Sequence, residues 1–259
     1  SAFVESTLAQ IYKTKVGTEY RGGSPYYIER GLKMKAFAML VAVVIFLSYG
    51  VLVPGIQANT IATSFENAFA LPAWSTGAAV SMILAFLIFG GTKRIARAAD
   101  SIIPLMAVGY VGLMLIVLVN HASKIPETLS LIIGSAFGTD AVFGGIVGSA
   151  ISWGVRRAVF SNVAGAGEAT FSSAAAEVSH PVKQGLVQGF SVYIDTVIVC
   201  TSTAIMILIT GMYNVHPVGM KTPLVENIPG VEAGSAYTQA ALGTVFGNFG
   251  GAFVAVGIF

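Results

Sequence analysis

Charged residues are scarce in this chain of 259 residues: they make up 10% of it, whereas 55% of the residues are hydrophobic. An average soluble domain has about 25% charged residues, so a water-soluble fold would lack the charges to cover its surface. The composition therefore excludes a soluble enzyme and a disordered regulator. The mean hydropathy of +0.79 agrees, and together these values indicate an all-α membrane protein that crosses the bilayer several times.

Cysteine is nearly absent, and the net charge is small. The one cysteine, Cys200, rules out an internal disulfide framework and a metal site built on a Cys-x-x-Cys pair. A net charge of +2 gives no reason to expect nucleic acid as a partner. No histidine and no pair of carboxylates falls within an apolar run, so the sequence predicts no intramembrane enzyme site.

Long apolar runs dominate the chain instead. A spanning helix needs about 20 mainly apolar residues, whereas a transmembrane β-barrel would show alternating segments of about 10 residues. The runs therefore predict a single transmembrane domain over 1–259 with about six spanning helices, surrounded by lipid. The predicted spans are 36–65, 74–91, 102–119, 141–153, 182–210 and 233–259.

The basic residues orient these spans. By the positive-inside rule, loops rich in Lys and Arg face the cytoplasm. The loops on the opposite side contain only Lys124 and Lys221, and the alternation holds only if the short run 141–153 also crosses. The residues predicted to be cytoplasmic are Lys13, Lys15, Arg21, Arg30, Lys33, Lys35, Lys93, Arg94, Arg97, Arg156, Arg157 and Lys183.

One acidic residue, Asp195, lies deep within a span. It follows Lys183 by 12 residues, about 18 Å of helix, which places it near the middle of a hydrocarbon core about 30 Å thick. An ionisable side chain at that depth is typical of an ion path or substrate site. We predict that Asp195 binds or tunes a cation, with Ser149 and Thr196 as oxygen ligands. The alternative is a carboxylate that only bonds a neighbouring helix.

The short span 141–153 is rich in glycine. Each glycine weakens a helix by about 1 kcal/mol, and a helix broken at mid-membrane frees backbone groups that can hold ions and substrate. Alternatively, the Gly-x-x-x-Gly spacing could serve close helix packing. We predict a broken helix whose residues Phe143, Gly144, Gly145 and Gly148 line a substrate pocket.

Two further segments carry polar signals. Pro54 removes a backbone donor and is expected to kink the first span, and Gln57 could then present its amide to a polar substrate or join two helices. The small, polar segment 160–168 has no phosphate-loop motif. It predicts a cytoplasmic loop and short helix that close an inner gate, with Asn162 capping the helix start.

Several blocks taken together resemble the alanine or glycine:cation symporter family. They are GSPYYI (23–28), IQAN (56–59), GGTKRI (90–95), RRAVFSN (156–162) and its continuation to 175, HPVKQGLVQ (180–188), YIDTVIVCT (193–201) and LITG (208–211). The sequence departs from this family at Val163, Glu168 and Thr170, where members usually have Glu, a small residue and Pro.

The resemblance implies a fragment of a leucine-transporter-like fold with two inverted five-helix repeats, in which 141–153 is the broken sixth core helix. It also implies symport of alanine or glycine with sodium, by alternating access, in the cytoplasmic membrane of a prokaryote. Because the chain starts without Met and ends within an apolar run, we expect a piece of a larger transporter. A proton-coupled symporter is the alternative, and a channel or a non-transporting scaffold is a weaker one.

Overall fold

A computed structural model describes residues 1–137, 154–215 and 225–258, and these residues are mostly helical. The helices are α1 (Ala2–Ile11), α2 (Ser24–Gly31), α3 (Lys35–Leu47), α4 (Val53–Phe69), α5 (Ala73–Ile88), α6 (Thr92–Asn120), α7 (Ile125–Phe137), α8 (154–162), α9 (Ala169–Ala175), α10 (Pro181–Tyr193), α11 (Thr201–Thr210), α12 (Ser235–Phe246) and α13 (Asn248–Ile258). The 3-10 turn Ala122–Lys124 joins α6 to α7.

Among the described residues, three helices are long and apolar enough to cross a membrane: Lys35–Phe69, Arg94–Asn120 and Pro181–Thr210. They contain the predicted spans 36–65, 102–119 and 182–210. The second predicted span coincides with the shorter apolar helix α5. The prediction of a helical membrane protein is therefore confirmed for the described part of the chain.

The remaining predicted spans have different outcomes. The run 141–153 lies outside the described residues. The run 233–259 contains two helices, α12 and α13, which are separated at Gly247 with φ +56°. At Gly250 an added Cβ would lie 2.7 Å from the carbonyl carbon of Leu242, so α13 turns back closely onto α12.

Among the described residues, two short antiparallel strand pairs were not predicted. Strand β1 (Thr14–Val16) pairs with β2 (Glu19–Arg21), and β3 (Asn214–Val215) pairs with β4 (Val225–Glu226). Strands this short carry no clear alternation of apolar and polar residues, which is the sequence signal for a strand.

The chain divides into two compact units. The first consists of Ser1–Pro54 and Ala136–Cys200, and the second of Gly55–Ser135 and Thr201–Phe259. In the first unit, α1 packs on α10 and α9 through small buried residues such as Ala9 and Ala174. In the second, α6, α11, α12 and α13 enclose an apolar core, formed by Met114, Val117, Met206, Ala241, Leu242 and Val254.

Two of the three points at which the chain divides fall inside a long helix, within two residues of the end of a π-helical segment. These segments are Ser48–Leu52 and Ile194–Cys200. The first has a local cause, because Pro54 lacks an N–H and its ring would collide with the carbonyl of Gly50 in a regular α-helix. The wider π turn accommodates the proline, and the helix Lys35–Phe69 stays continuous through the residue that was expected to kink it.

The long helices expose large apolar side chains. Phe46 is 69% exposed and Leu105 is 76% exposed. Exposed apolar surface of this extent marks contact with membrane or protein. Lipid contact on these faces agrees with the composition of the chain.

Candidate functional site

Asp195 lies in the second π segment, at the middle of the helix Pro181–Thr210. Its carboxylate is half-buried, and its Oδ2 accepts a hydrogen bond of 2.6 Å from the Ser161 hydroxyl at the end of α8. This contact joins two helices through residues that are 34 positions apart in sequence. This contact is the one given above as the alternative for Asp195, and cation binding by its carboxylate stays a prediction.

The π turn brings Cys200 to the same carboxylate. Its Sγ lies 3.9 Å from Asp195 Oδ2 and 3.5 Å from Ser161 Oγ. In a regular α-helix with 3.6 residues per turn, residues five apart point about 140° away from each other. Because a π turn bonds residue i to i+5, it places the two side chains on one face.

Asn162 and Thr196 form a second contact beside the first. The Asn162 side-chain amide donates to Thr196 Oγ1 over 2.9 Å, and the Thr196 hydroxyl donates back to Asn162 Oδ1 over 3.1 Å. Two consecutive residues of α8 thus meet two consecutive residues of the π segment. The four residues Ser161, Asn162, Asp195 and Thr196, with Cys200, are called here the Asp195 cluster.

The predicted role of Asn162 as a cap at a helix start is wrong. Asn162 ends α8, and the next helix begins at Ala169 after Glu168. The residue after Asn162 is Val163, whose φ of +52° is the left-handed conformation in which helices commonly terminate. A β-branched residue is strained there, and this local constraint sits beside the cluster.

The cluster is chemically suited to a small hard cation. It has a carboxylate, two hydroxyls and an amide oxygen, and sodium prefers oxygen ligands of this kind as calcium and magnesium do. Among the described residues, no group of three or more His, Cys, Asp and Glu side chains comes together.

One further predicted site residue, Gln57, lies within the described part of the chain. Gln57 is exposed on α4, in the second unit, whereas the Asp195 cluster belongs to the first. Phe143, Gly144, Gly145, Gly148 and Ser149 lie outside the described residues. Their predicted roles in substrate and cation binding stay predictions.

A second set of contacts fastens the segment 163–177 to the N-terminal helices of the same unit. The Gly165 N–H donates to Glu5 Oε2 over 3.1 Å, and the buried Gln10 amide donates to the carbonyls of Ser173 and Ala176. The Thr170 hydroxyl accepts from the Ser24 N–H and donates to the Gly167 carbonyl. The resembling family usually has Pro at this position, and Pro could make neither contact.

Lys13 belongs to this set of contacts. Its Nζ donates to the Ala176 carbonyl over 2.8 Å and lies 4.1 Å from the centre of the Tyr20 ring. Partial burial lowers the pKa of the Lys13 amine, and the nearby Glu177 carboxylate opposes that shift. Within the segment 160–168 that is predicted to close an inner gate, Gly165 donates to Glu5 of α1, and Ser24 of α2 donates to the Gly167 carbonyl.

Comparison with known proteins decides the family. The profile of the sodium:alanine symporter family matches residues 1–259, the whole chain. This chain belongs to the sodium:alanine symporter family. Both the resemblance drawn from the sequence blocks and the exclusion of an enzyme agree with that membership, since the family consists of transporters.

Curated relatives from the family align over the chain's full length. The YrbD protein of Bacillus subtilis (strain 168), named "Putative sodium/proton-dependent alanine carrier protein YrbD", is 54% identical over 100% of this chain and 53% of its own length. The sodium/proton-dependent alanine carrier protein of Bacillus sp. (strain PS3) is 47% identical over 100% of this chain and 58% of its own.

A third relative differs in its named substrate. The GlnT protein of Bacillus subtilis (strain 168), named "Probable sodium/glutamine symporter", is 43% identical over 99% of this chain and 51% of its own length. The chain therefore spans about half the length of the curated relatives it matches. All three names include sodium and an amino acid. Two of them add the proton and give alanine, whereas the third gives glutamine.

Three members of the Asp195 cluster, Ser161, Asn162 and Cys200, were missed as site residues. Ser161 and Asn162 follow the basic pair Arg156 and Arg157, and the sequence reading assigned them to a loop. The signal available was the apolar spacing of Val155 and Val159, which continues a helix up to Asn162. No sequence signal showed which residues that helix would contact.

Proposed function

We propose that this chain is part of a secondary active symporter that carries a small neutral amino acid, alanine or glycine, together with sodium. The observation that carries the proposal is the Asp195 cluster, a carboxylate with hydroxyl and amide groups at the middle of an apolar helix. A charge in the middle of a spanning helix costs free energy, and such charges usually mark a functional site. Membership of a sodium symporter family supports cation binding as that function. Sodium is here a transported cosubstrate.

The remaining site assignments are part of the same proposal. Gln57 contacts the polar end of the substrate, while Phe143, Gly144, Gly145 and Gly148 line its pocket. Ser149 and Thr196 add oxygen ligands to the cation held by Asp195. The helices form part of two inverted repeats in a leucine-transporter-like fold, located in the cytoplasmic membrane of a prokaryote.

Coupling follows from binding energies. If sodium and the amino acid both stabilise one occluded state, each raises the affinity for the other by the same factor. Rocking of one helix bundle against another then exposes the loaded site to each side of the membrane in turn. The protein's own contribution is a carboxylate that Ser161 orients and a Thr196 hydroxyl that Asn162 holds.

A proton-coupled symporter is the second candidate. The names of the two alanine carriers among the relatives give both sodium and proton. A carboxylate at mid-membrane can carry a proton as well as bind sodium.

Uptake of radiolabelled alanine by the full-length protein in proteoliposomes distinguishes the two ions. We expect accumulation with an inward sodium gradient and none when potassium replaces sodium at constant pH. Accumulation driven by an acidic exterior without sodium would instead establish proton coupling. Glycine and glutamine as competitors determine the substrate, and we expect only glycine to compete strongly.

Removing the Ser161 hydroxyl should weaken sodium binding. A hydrogen bond to a charged group contributes about 1.5–3 kcal/mol, so Ser161→Ala should raise the KM for sodium about tenfold or more. Ser161→Thr keeps the hydroxyl and is the matched control. A sodium KM that is equal in the Ala, Thr and native proteins would remove Ser161 from the cation site.

A further inference from the structure

Positive charge is concentrated in the stretch that leads into the first membrane-spanning helix. Residues 13–35 contain six basic and two acidic residues, a net charge of +4, whereas the rest of the chain has a net charge of −2. The stretch forms the strand pair β1–β2 and the helix α2 of the first unit, and it ends where the helix Lys35–Phe69 begins. The Asp195 cluster accounts for none of these cations.

The turn between α2 and this spanning helix has a defined backbone conformation. The Met34 N–H donates to the Ile28 carbonyl over 3.4 Å, and Lys33 has a φ of +57°. Helices commonly end in this left-handed conformation, but usually with Gly, because a Cβ is strained there. A lysine at this position therefore points to a role for its side chain beyond the turn itself.

Apolar and cationic side chains alternate along the turn. Leu32 and Met34 are 63% and 51% exposed, and Lys33 and Lys35 are exposed as well. This combination fits the membrane interface, where apolar side chains reach the acyl chains and amines reach the lipid phosphates. Because Lys35 is the first residue of a spanning helix, we expect the turn to lie at the depth of the lipid headgroups.

Two contacts bring the end of α2 beside the residues that lead into the strand pair. Arg30 Nη1 donates to the Tyr12 carbonyl over 3.4 Å, and a Cβ added at Gly31 would lie 3.1 Å from the Tyr12 hydroxyl oxygen. Strand β1 begins two residues after Tyr12, and the strand pair has Lys15 and Arg21 exposed. These cations therefore lie in the same region as the turn and add to its positive potential.

We propose that the turn 31–35, supported by the strand pair β1–β2, is a docking surface for anionic phospholipids of the surrounding leaflet. Lys33 and Lys35 bind the headgroup phosphates. Leu32 and Met34 enter the edge of the acyl region, and the cations of the strand pair add attraction at longer range. Basic clusters directly beside a spanning helix attract acidic lipids in this way. The partner is a lipid, so this inference is independent of the transported solute.

Binding of fluorescently labelled phosphatidylglycerol to the full-length protein in neutral detergent tests the docking surface. We expect phosphatidylglycerol to bind more tightly than phosphatidylcholine with the same label. This preference should shrink as the salt concentration rises, because salt screens the attraction between exposed charges. Equal affinity for the two lipids, or a preference that salt leaves unchanged, would overturn the proposal.

Variants with a matched control localise the binding. The double variant Lys33→Gln/Lys35→Gln should bind phosphatidylglycerol about tenfold more weakly, or weaker still, with the affinity for phosphatidylcholine unchanged. Lys33→Arg/Lys35→Arg keeps both charges and should bind like the native protein. Arg157→Gln/Lys183→Gln removes two exposed cations from α8 and α10 of the same unit and should change neither affinity.

The other outcomes contradict the docking surface or narrow its test. Equal weakening by the two Gln pairs would show attraction by the overall charge of the protein and overturn the site at 31–35. Displacement of the lipid by glycerol 1-phosphate would show a site for soluble phosphate and contradict the role of Leu32 and Met34. If the double variant fails to fold, Lys33→Gln and Lys35→Gln alone decide, each expected to weaken phosphatidylglycerol binding about fivefold.

Discussion

Replacing Asp195 by Asn should abolish sodium-driven alanine uptake by the full-length protein. Asn has nearly the same shape and can still accept the hydrogen bond from Ser161, so the helix contact is retained while the charge is lost. The carboxylate is the charged group that is proposed to bind the cation, and losing such a charged contact costs about 2 kcal/mol or more. Sodium affinity should therefore fall about 30-fold or more, with uptake measured as a function of sodium concentration.

An exposed aspartate provides the control for this substitution. Asp100 lies on α6 and is exposed, so Asp100→Asn should leave the sodium dependence unchanged. If Asp195→Asn transports alanine with the native KM for sodium, the cluster does not bind the coupling cation. Its hydrogen bonds would then serve only to hold α8 against the π segment.

Replacing Gly185 by Ala should destabilise the first unit, although Ala is normally the better helix former. An added Cβ at Gly185 would lie 2.8 Å from the backbone oxygen of Phe3, closer than real Cβ atoms approach, and would also collide with Thr7 Oγ1. Thr7 itself donates to the Phe3 carbonyl over 2.7 Å, so neither group can move freely. Overpacking of this kind costs about 1–3 kcal/mol. To relieve the clash, α1 would have to shift away from α10 at this contact.

Gly189, one turn further along α10, provides a control with the opposite expected sign. Its added Cβ would meet Phe3 Cβ at 3.7 Å, an ordinary contact. Gly189→Ala should therefore keep or raise stability by up to about 1 kcal/mol through helix propensity. Thermal denaturation of both variants in detergent checks the pair, and equal stability of the two would contradict the close packing of α1 on α10.

Sequence alone predicted the long helices well because the signal is cumulative. The run 182–210 matches the helix Pro181–Thr210 to within one residue, and 36–65 lies within Lys35–Phe69. Many apolar residues in succession outweigh any single unfavourable one, and Pro181 at the first position favours the helix start. The mid-helix position of Asp195 followed from the same counting.

The contacts of Asp195 could not be predicted in this way. Its partner Ser161 is 34 residues away in sequence, and the π turn that aligns Asp195 with Cys200 departs from the α-helical spacing on which sequence reasoning depends. Pro54 explains the π turn at Ser48–Leu52, but no comparable residue announces the turn at Ile194–Cys200. The hydrogen bond from the Gln239 amide to the Ser64 carbonyl likewise depends on packing between distant helices.

The most direct test of the account is alanine-stimulated accumulation of radioactive sodium in proteoliposomes containing the full-length protein. The account predicts that external alanine accelerates sodium accumulation by the native protein and by Asp100→Asn, and has no effect with Asp195→Asn. Alanine-stimulated sodium accumulation that persists in Asp195→Asn would contradict it, because the coupling cation would then bind elsewhere.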